Sequence, residues 1–276
     1  SCLNSVKRTT QTNSRPNVPS RAIVSASFDR SGSMCSMGAA PKEALLNFIN
    51  DRKDDATKNN SEITVTLTTF DDRVEHLFEN EPIENITLTE QEAVHFLEPR
   101  GTTRLIATAI EEVARLRKAF ATLKTNNPNI TVTALYLLFT DGFDNESHPL
   151  TARDLNAAIR AAEEDGITCI FAGADQDAIS NGAQYGFSPN NSLTVNSAPM
   201  TAAAGFRSCS AAVSRAVSGG PIAFTQVERH TSQNVGSLTP PTIQPNRRLR
   251  TVAAIPTDAF NLAHINNLMP PPLTRS

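Results

Sequence analysis

The chain has 276 residues and a formal net charge of −3, with 39% hydrophobic and 19% charged residues. This length allows one large domain or two small ones, and the composition is that of a globular protein rather than a disordered chain. The longest apolar run, residues 134–139, is too short for a transmembrane helix, and no secretory signal opens the chain. Four scattered cysteines form no metal or disulfide pattern, so we expect a cytoplasmic or other intracellular protein.

The charged residues are distributed unevenly along the chain. Residues 1–21 carry +4 and residues 219–276 carry +3, which leaves −10 for residues 22–218. An acidic body with basic ends is unlike a domain that binds nucleic acid. The ends either contact an acidic surface, such as another subunit, or are solvated tails.

Residues 1–20 are rich in Ser, Thr, Asn and Arg, which predicts a flexible basic arm. Short apolar stretches predict the strands, which are 22–28, 63–70, 74–78, 130–139, 167–171 and 193–195. Apolar residues spaced three and four apart predict the helices, which are 41–51, 103–123, 151–164, 175–185 and 201–217. Strands that alternate with amphipathic helices indicate an α/β fold with a doubly wound, Rossmann-like, mostly parallel sheet and helices on both faces. The turn at Asp71-Asp72 predicts a hairpin, and therefore one antiparallel edge strand.

The composition changes after Gly219-Gly220, because eight of the 17 prolines fall in the last 58 residues. We therefore predict one domain over residues 21–218, followed by a Pro-rich extension over residues 219–276. Removal of residues 221–276 should leave a folded body, since the apolar periodicity is complete by Val217. One helical pattern, at 258–268, either docks on the body or binds a partner.

The motif that carries chemistry follows the first predicted strand. Asp29, Ser31 and Ser33 alternate along one tight loop, and Gly32 lets that loop turn closely around an ion. Loops at the carboxyl ends of strands form the ligand crevice of an open α/β sheet. Carboxylate and hydroxyl oxygens are hard ligands that suit Mg²⁺ or Mn²⁺ rather than zinc.

Two more oxygen groups are expected at the same crevice. Thr103 stands at the start of the long helix within the sequence Gly-Thr-Thr, and Asp141 directly follows the most apolar strand. Each signal alone is weak, since Gly-Thr-Thr is an ordinary helix cap and Asp-Gly an ordinary turn. Together, in this order along an alternating α/β chain, they indicate a divalent metal site.

At these residues the sequence resembles the von Willebrand factor type A domain. Over about residues 20–218, the chain matches every position of that family's metal-ion-dependent adhesion site, which are Asp29, Ser31, Ser33, Thr103 and Asp141. The resemblance implies that the two serines coordinate the ion directly and Thr103 directly or through water. It implies that the two aspartates act through water or switch with the ligand state. Arg30 is expected to place an extra cation beside the site.

The resemblance implies a metal-dependent protein-interaction module, and not an enzyme. Neutral hydroxyls leave much of the charge of the ion uncompensated, so an open position accepts an Asp or Glu carboxylate from a protein partner. The alternative is a structural subunit of a larger assembly, such as a virion or organelle particle, held by its tails without metal. A Mg²⁺-dependent phosphoryl-transfer enzyme is a remote alternative, because Ser31 replaces a second aspartate and no lysine lies beside the loops. Hydrolase, P-loop, zinc-protease and dinucleotide motifs are absent from the sequence.

Overall fold

The computed structural model describes residues 20–234. The predicted basic arm and the helical pattern at 258–268 lie outside the described residues, so both stay predictions. No helix within the described part of the chain combines the length and the apolar character needed to cross a membrane.

Six strands form one sheet in the order β3-β2-β1-β4-β5-β6. The strands are β1 (Ser20–Asp29), β2 (Ser61–Phe70), β3 (Val74–Pro82), β4 (Thr131–Thr140), β5 (Thr168–Ala174) and β6 (Ser192–Val195). Neighbouring strands run parallel except β2 and β3, which form the predicted antiparallel hairpin at one edge. The structure therefore confirms the predicted α/β class and sheet type.

Helices cover both faces of this sheet. They are α1 (Ala40–Asn59), α2 (Glu90–Phe96), α3 (Leu105–Asn126), α4 (Ala152–Glu164), α5 (Ala178–Gln184), α6 (Pro199–Val217) and α7 (Gln226–Thr231). Successive residues of the central strand β1 point to opposite faces, as the pleat of a strand requires. Val24 packs in the core with α1, α2 and α6, whereas its neighbour Ile23 packs in the core with α3, α4 and α5.

Helix α1 extends eight residues beyond its predicted end at Asp51. This part of the helix is rich in charged residues, which is why apolar periodicity does not reveal it. Arg52 is nevertheless fully buried, where its Nε donates to Asp55 at 2.8 Å and a terminal nitrogen donates to the Ser210 carbonyl of α6 at 3.1 Å. Contact with α6 therefore stabilises the last two turns of α1, which the sequence pattern does not predict.

Helices α2 and α7 are absent from the sequence prediction. Both are short, at seven and six residues, and each begins with a capping box, in which Thr89 pairs with Glu92 and Thr225 pairs with Glu228. This reciprocal pairing satisfies backbone groups that the first turn of a helix leaves free. The Thr-x-x-Glu spacing is therefore the signal that apolar periodicity overlooks.

The packed body continues beyond the predicted boundary at residue 218. Phe224 is buried in the core with α6, and the backbone N–H of Asn196, just after β6, donates to the Ser232 carbonyl at 2.8 Å. Arg229 donates to the carbonyls of Ser192, Pro189 and Asn190 at 2.8–3.1 Å. Residues 221–234 thus cover the β6 edge of the sheet, which would otherwise expose unpaired backbone groups.

We therefore expect a chain that ends at residue 220 to be less stable than one that ends at residue 240, contrary to the sequence expectation. Phe224→Ala should lower the free energy of unfolding by about 3–5 kcal/mol, because a buried aromatic ring is lost. Thermal unfolding followed by circular dichroism checks both. Val227→Ala is the matched control, since Val227 lies in α7 but is 54% exposed. Equal melting temperatures for Phe224→Ala and Val227→Ala would contradict the expectation.

Candidate metal centre

The candidate site lies where the chain changes direction across the sheet. From β1 the chain continues to β2 on one side and later returns to β4 on the other side. Loops at the carboxyl ends of β1 and β4 therefore diverge from a shared crevice, which is the usual ligand position in open α/β sheets. Asp29 ends β1, and Asp141 directly follows β4.

The structure brings four of the predicted residues into one hydrogen-bonded chain. The Ser33 hydroxyl donates to Asp141 Oδ1 at 2.8 Å, and the Oγ atoms of Ser31 and Ser33 lie 3.1 Å apart. Asp29 accepts from the backbone N–H of Ser31 at 2.7 Å and from the Thr140 hydroxyl at 2.6 Å. Two serine hydroxyls therefore lie between two carboxylates.

Thr103, the fifth predicted residue, lies beside this chain. A Cβ atom built on Gly142 would be 3.3 Å from Thr103 Oγ1 and 3.9 Å from Ser33 Oγ. The Gly142 backbone therefore approaches both hydroxyls closely, and a side chain at this position would crowd Thr103. The five predicted residues thus lie near one another at the carboxyl ends of the central strands.

Thr103 is held in position by residues 144–147 of the loop after β4. The sequence pattern does not predict this contact. Its backbone N–H donates to Asn145 Oδ1 at 2.8 Å, and the N–H of Asn145 donates back to the Thr103 carbonyl at 3.0 Å. Asp144 Oδ1 and Ser147 Oγ accept from the free N–H groups of Ile106 and Ala107 in the first turn of α3. Residues 144–147, which follow β4, thereby cap α3 from outside that helix.

The electrostatics differ between the two aspartates. Burial raises the pKa of Asp29 to about 6, although hydrogen bonds from Thr140 and Ser31 favour its charged form. Burial also raises the pKa of Asp141, which is partly exposed. No cationic side chain within residues 20–234 pairs with either group. The centre therefore concentrates negative charge without a counter-charge from the described chain.

Two expectations about this loop are wrong. Asp29 is a fully buried residue at the end of β1, not a carboxylate of the loop that follows. The guanidinium of Arg30 does not stand free beside the site, because it is buried and paired with Asp71 at 2.9 Å and with Glu75 at 2.7 Å. The alternating direction of side chains along the strand explains both findings.

Asp71 joins the loops around the centre. It accepts from Arg30 and from Arg100 Nε at 2.7 Å, and its carbonyl accepts from the Arg104 N–H at 2.8 Å. Against the effect of its burial, the hydrogen bond from Arg100 and the neighbouring charges hold the pKa of Asp71 below its usual value. Gly101 adopts a left-handed conformation here, and an added Cβ would lie 2.5 Å from Asp72 Oδ1. The left-handed backbone favours glycine at this turn, because other side chains adopt that conformation at a cost in free energy.

The donor set fits a hard divalent cation. Within residues 20–234, His, Cys, Asp and Glu side chains alone form no group of three that would hold a metal. An ion at this centre would therefore depend on hydroxyl oxygens in addition to the carboxylates, as Mg²⁺ and Mn²⁺ accept and zinc sites seldom do. Cys35 and His148 are exposed and make no polar contact with the five residues.

Comparison with known families identifies the family of this chain. The family model of the von Willebrand factor type A domain matches residues 24–203. The chain belongs to this family. The matched segment runs from the middle of β1 into the start of α6 and thus includes all five candidate residues. A comparison with curated protein sequences finds no match.

Several solved structures resemble this von Willebrand factor type A domain at low identity. Proximal thread matrix protein 1 from the mussel byssus is 15% identical over 72% of this chain and 46% of its own, with a TM-score of 0.49. The chain thus spans about half the length of that protein, another form of which has a zinc-occupied MIDAS motif. The pilus adhesin SpaC from Lactobacillus rhamnosus GG is 15% identical over 72% and 30%, with a TM-score of 0.47. The SpRpn10 VWA domain is 14% identical over 67% and 92%, with a TM-score of 0.42.

The buried charge of Asp29 leads to a prediction for the metal-free domain. Asp29→Asn should raise its free energy of unfolding at pH 7.5 by about 2 kcal/mol, because a raised carboxyl pKa means that ionisation opposes folding. The gain should shrink as the pH falls below about 6 and vanish near pH 4, where Asp29 is protonated in both states. Urea unfolding in EDTA across this pH range measures it. A destabilised Asp29→Asn protein at pH 7.5 would contradict the electrostatic argument.

Proposed function

We propose that this chain is a metal-dependent protein-interaction module. Domains of the von Willebrand factor type A family generally mediate metal-dependent contacts between proteins. The observation that supports this function here is the meeting of two carboxylates and three hydroxyls at one edge of the sheet without a cationic partner. We propose Mg²⁺ or Mn²⁺ as the ion.

Ser31, Ser33 and Thr103 would hold the ion through their hydroxyls, and Asp29 and Asp141 would supply the negative charge. Asp29 orients the Ser31 backbone, and Asp141 orients the Ser33 hydroxyl. A bound divalent ion supplies a Lewis-acidic position that accepts an oxygen ligand from outside the domain. Because three of the five donors are neutral, an Asp or Glu carboxylate of a protein partner suits that position.

Calorimetric titration with Mg²⁺ and Mn²⁺ tests the proposal. The native protein should bind one ion, whereas Asp141→Ala should lose measurable binding because it removes a carboxylate that is partly exposed. Asp165→Asn is the matched control, since Asp165 is an exposed acid that pairs with Arg117 after α4. Near-native circular dichroism of Asp141→Ala would show that the fold is retained.

Ion binding that is unchanged in Asp141→Ala would contradict the proposed site. Absence of ion binding by the native protein would instead favour the alternative function of a structural subunit that works without metal. The two results lead to different experiments, since the second directs attention to the terminal segments.

Asn145 provides a second test, because it positions Thr103 without belonging to the proposed ligands. Asn145→Ala removes the side-chain acceptor of the Thr103 N–H and should weaken Mn²⁺ affinity by about 10–100-fold, the usual cost of losing a partner that orients a ligand. Asn145→Asp retains the acceptor oxygen and should recover much of the affinity. Equal Mn²⁺ affinity of Asn145→Ala and the native protein would show that Thr103 needs no such support.

A further inference from the structure

A cavity lies between helix α3 and the strands β1, β2 and β3. Its volume is about 140 Å³, and an adjoining groove of about 430 Å³ continues it along α3. The cavity and the groove share four lining residues, which are Ile23, Asn80, Arg115 and Ala119, and none of the five candidate metal residues lines either. A cavity of this size far exceeds the space of one water and is comparable with cavities that hold benzene.

The strands carry hydroxyl groups where they face this cavity and α3. This face presents Ser25 and Ser27 of β1 and Thr64, Thr66 and Thr68 of β2. On the opposite face, the alternate residues from 22 to 28 and from 63 to 67 are apolar and lie in the core with α1 and α6. Buried hydroxyl groups need hydrogen-bond partners, so the face toward α3 must find polar groups to pair with.

Ser25 has no such partner within residues 20–234. It is only 2% exposed and lines the cavity, yet its Oγ forms no hydrogen bond with any described residue. Thr66 lies beside it as its register partner on β2. The Thr66 hydroxyl accepts from the Asn80 N–H at 2.9 Å, which leaves its O–H as a donor. Since an unpaired buried hydroxyl costs free energy, an occupant that forms a hydrogen bond with Ser25 is favoured.

The charged groups of the cavity wall are paired with one another. His76 Nε2 donates to one oxygen of the buried Glu112 carboxylate at 2.7 Å, and the Thr68 hydroxyl donates to the other at 3.1 Å. Arg115 lies 3.6 Å from Glu112 and 3.5 Å from Glu79. A charged ligand would enter beside these groups without a counter-charge of its own, whereas a neutral ligand leaves the pairs intact.

We propose that this cavity binds a small neutral alcohol. A hydroxyl group both donates and accepts, as Ser25 does, and it can accept from Thr66 as well. The aliphatic chain of the alcohol would lie against Ile23, Leu116 and Ala119 and continue into the adjoining groove. Binding here needs no ion at the candidate metal centre.

NMR titration of the full chain with 1-hexanol tests the proposal. Amide shifts in ¹H–¹⁵N spectra should saturate with a Kd on the order of 1 mM, and they should be centred on Ser25, Thr66 and Leu116. Hexylamine and hexanoate have the same chain with a charged head group, so they should bind about tenfold more weakly or worse. 1-Octanol should bind roughly tenfold more tightly than 1-hexanol, because two more methylene groups enter the groove.

Two variants locate the binding site. Ser25→Ala should lower hexanol affinity by about fivefold and retain the fold, because it removes a hydroxyl that no described residue pairs with. Ala119→Phe should abolish binding, since Ala119 lines both the cavity and the groove. Ala121→Phe is the matched control, because it adds the same ring at an exposed position of the same helix. Thermal unfolding of each variant checks that the fold is retained.

Each outcome decides one part of the proposal. Saturable shifts that vanish in Ala119→Phe and persist in Ala121→Phe would support the site. Shifts that grow linearly with hexanol, or that cluster around the exposed Phe143, would overturn it, since they indicate surface adsorption and a cavity that holds water only. Equal or tighter binding of hexylamine or hexanoate would overturn the neutral head group. Unchanged hexanol affinity in Ser25→Ala would overturn the role of its hydroxyl.

Discussion

The arrangement of the candidate metal centre depends on a buried ion pair beside it. Arg30 follows Asp29 directly, yet its guanidinium turns away from the centre and pairs with Asp71 at the end of β2. Removing one partner of a buried ion pair leaves a poorly compensated buried charge and is destabilising, so the pair fixes the position of the Arg30 side chain. Arg100 and the backbone of Arg104 bind the same aspartate. The loop after β1 and the segment that carries Thr103 are thereby fixed to one residue, through its carboxylate and its backbone carbonyl.

The fold places two buried aspartates, Asp71 and Asp29, in opposite electrostatic environments. Asp71 is surrounded by arginine side chains, which hold its pKa low despite its burial. Asp29 receives only neutral hydrogen bonds from Ser31 and Thr140, and burial raises its pKa to about 6. A charge compensated by protein groups contributes to stability, whereas an uncompensated one opposes folding and favours a cation from solution. Under the proposed function, the domain gives up stability at Asp29 in order to bind an ion.

The face at the carboxyl ends of the strands, which includes the candidate metal centre, exposes apolar and acidic side chains that a stable monomer usually avoids. Exposed Phe143 and Met200 leave apolar area in water, and the loops after β4 and β5 contain acidic residues but no lysine or arginine of their own. Elsewhere the described surface is mixed in charge, and residues 221–234 cover the β6 edge of the sheet. Exposed apolar and clustered acidic groups on one face of an otherwise well-packed domain are characteristic of a surface that binds a ligand.

The sequence by itself determined the α/β class, the hairpin edge and the five residues that meet at the sheet edge, because alternating strands and helices place successive loops at one edge of a parallel sheet. Apolar periodicity missed the short helices α2 and α7, whose signals are capping boxes, and the last turns of α1, whose Arg52 is buried only by contact with α6. Tertiary structure alone decided that Arg30 points to Asp71, that Asn145 holds Thr103 and that Phe224 belongs to the core. Each of these depends on residues far apart along the chain. A local sequence pattern shows which face of a helix or strand is apolar. It does not show which distant residue contacts a buried side chain, because that contact forms only when distant elements pack together.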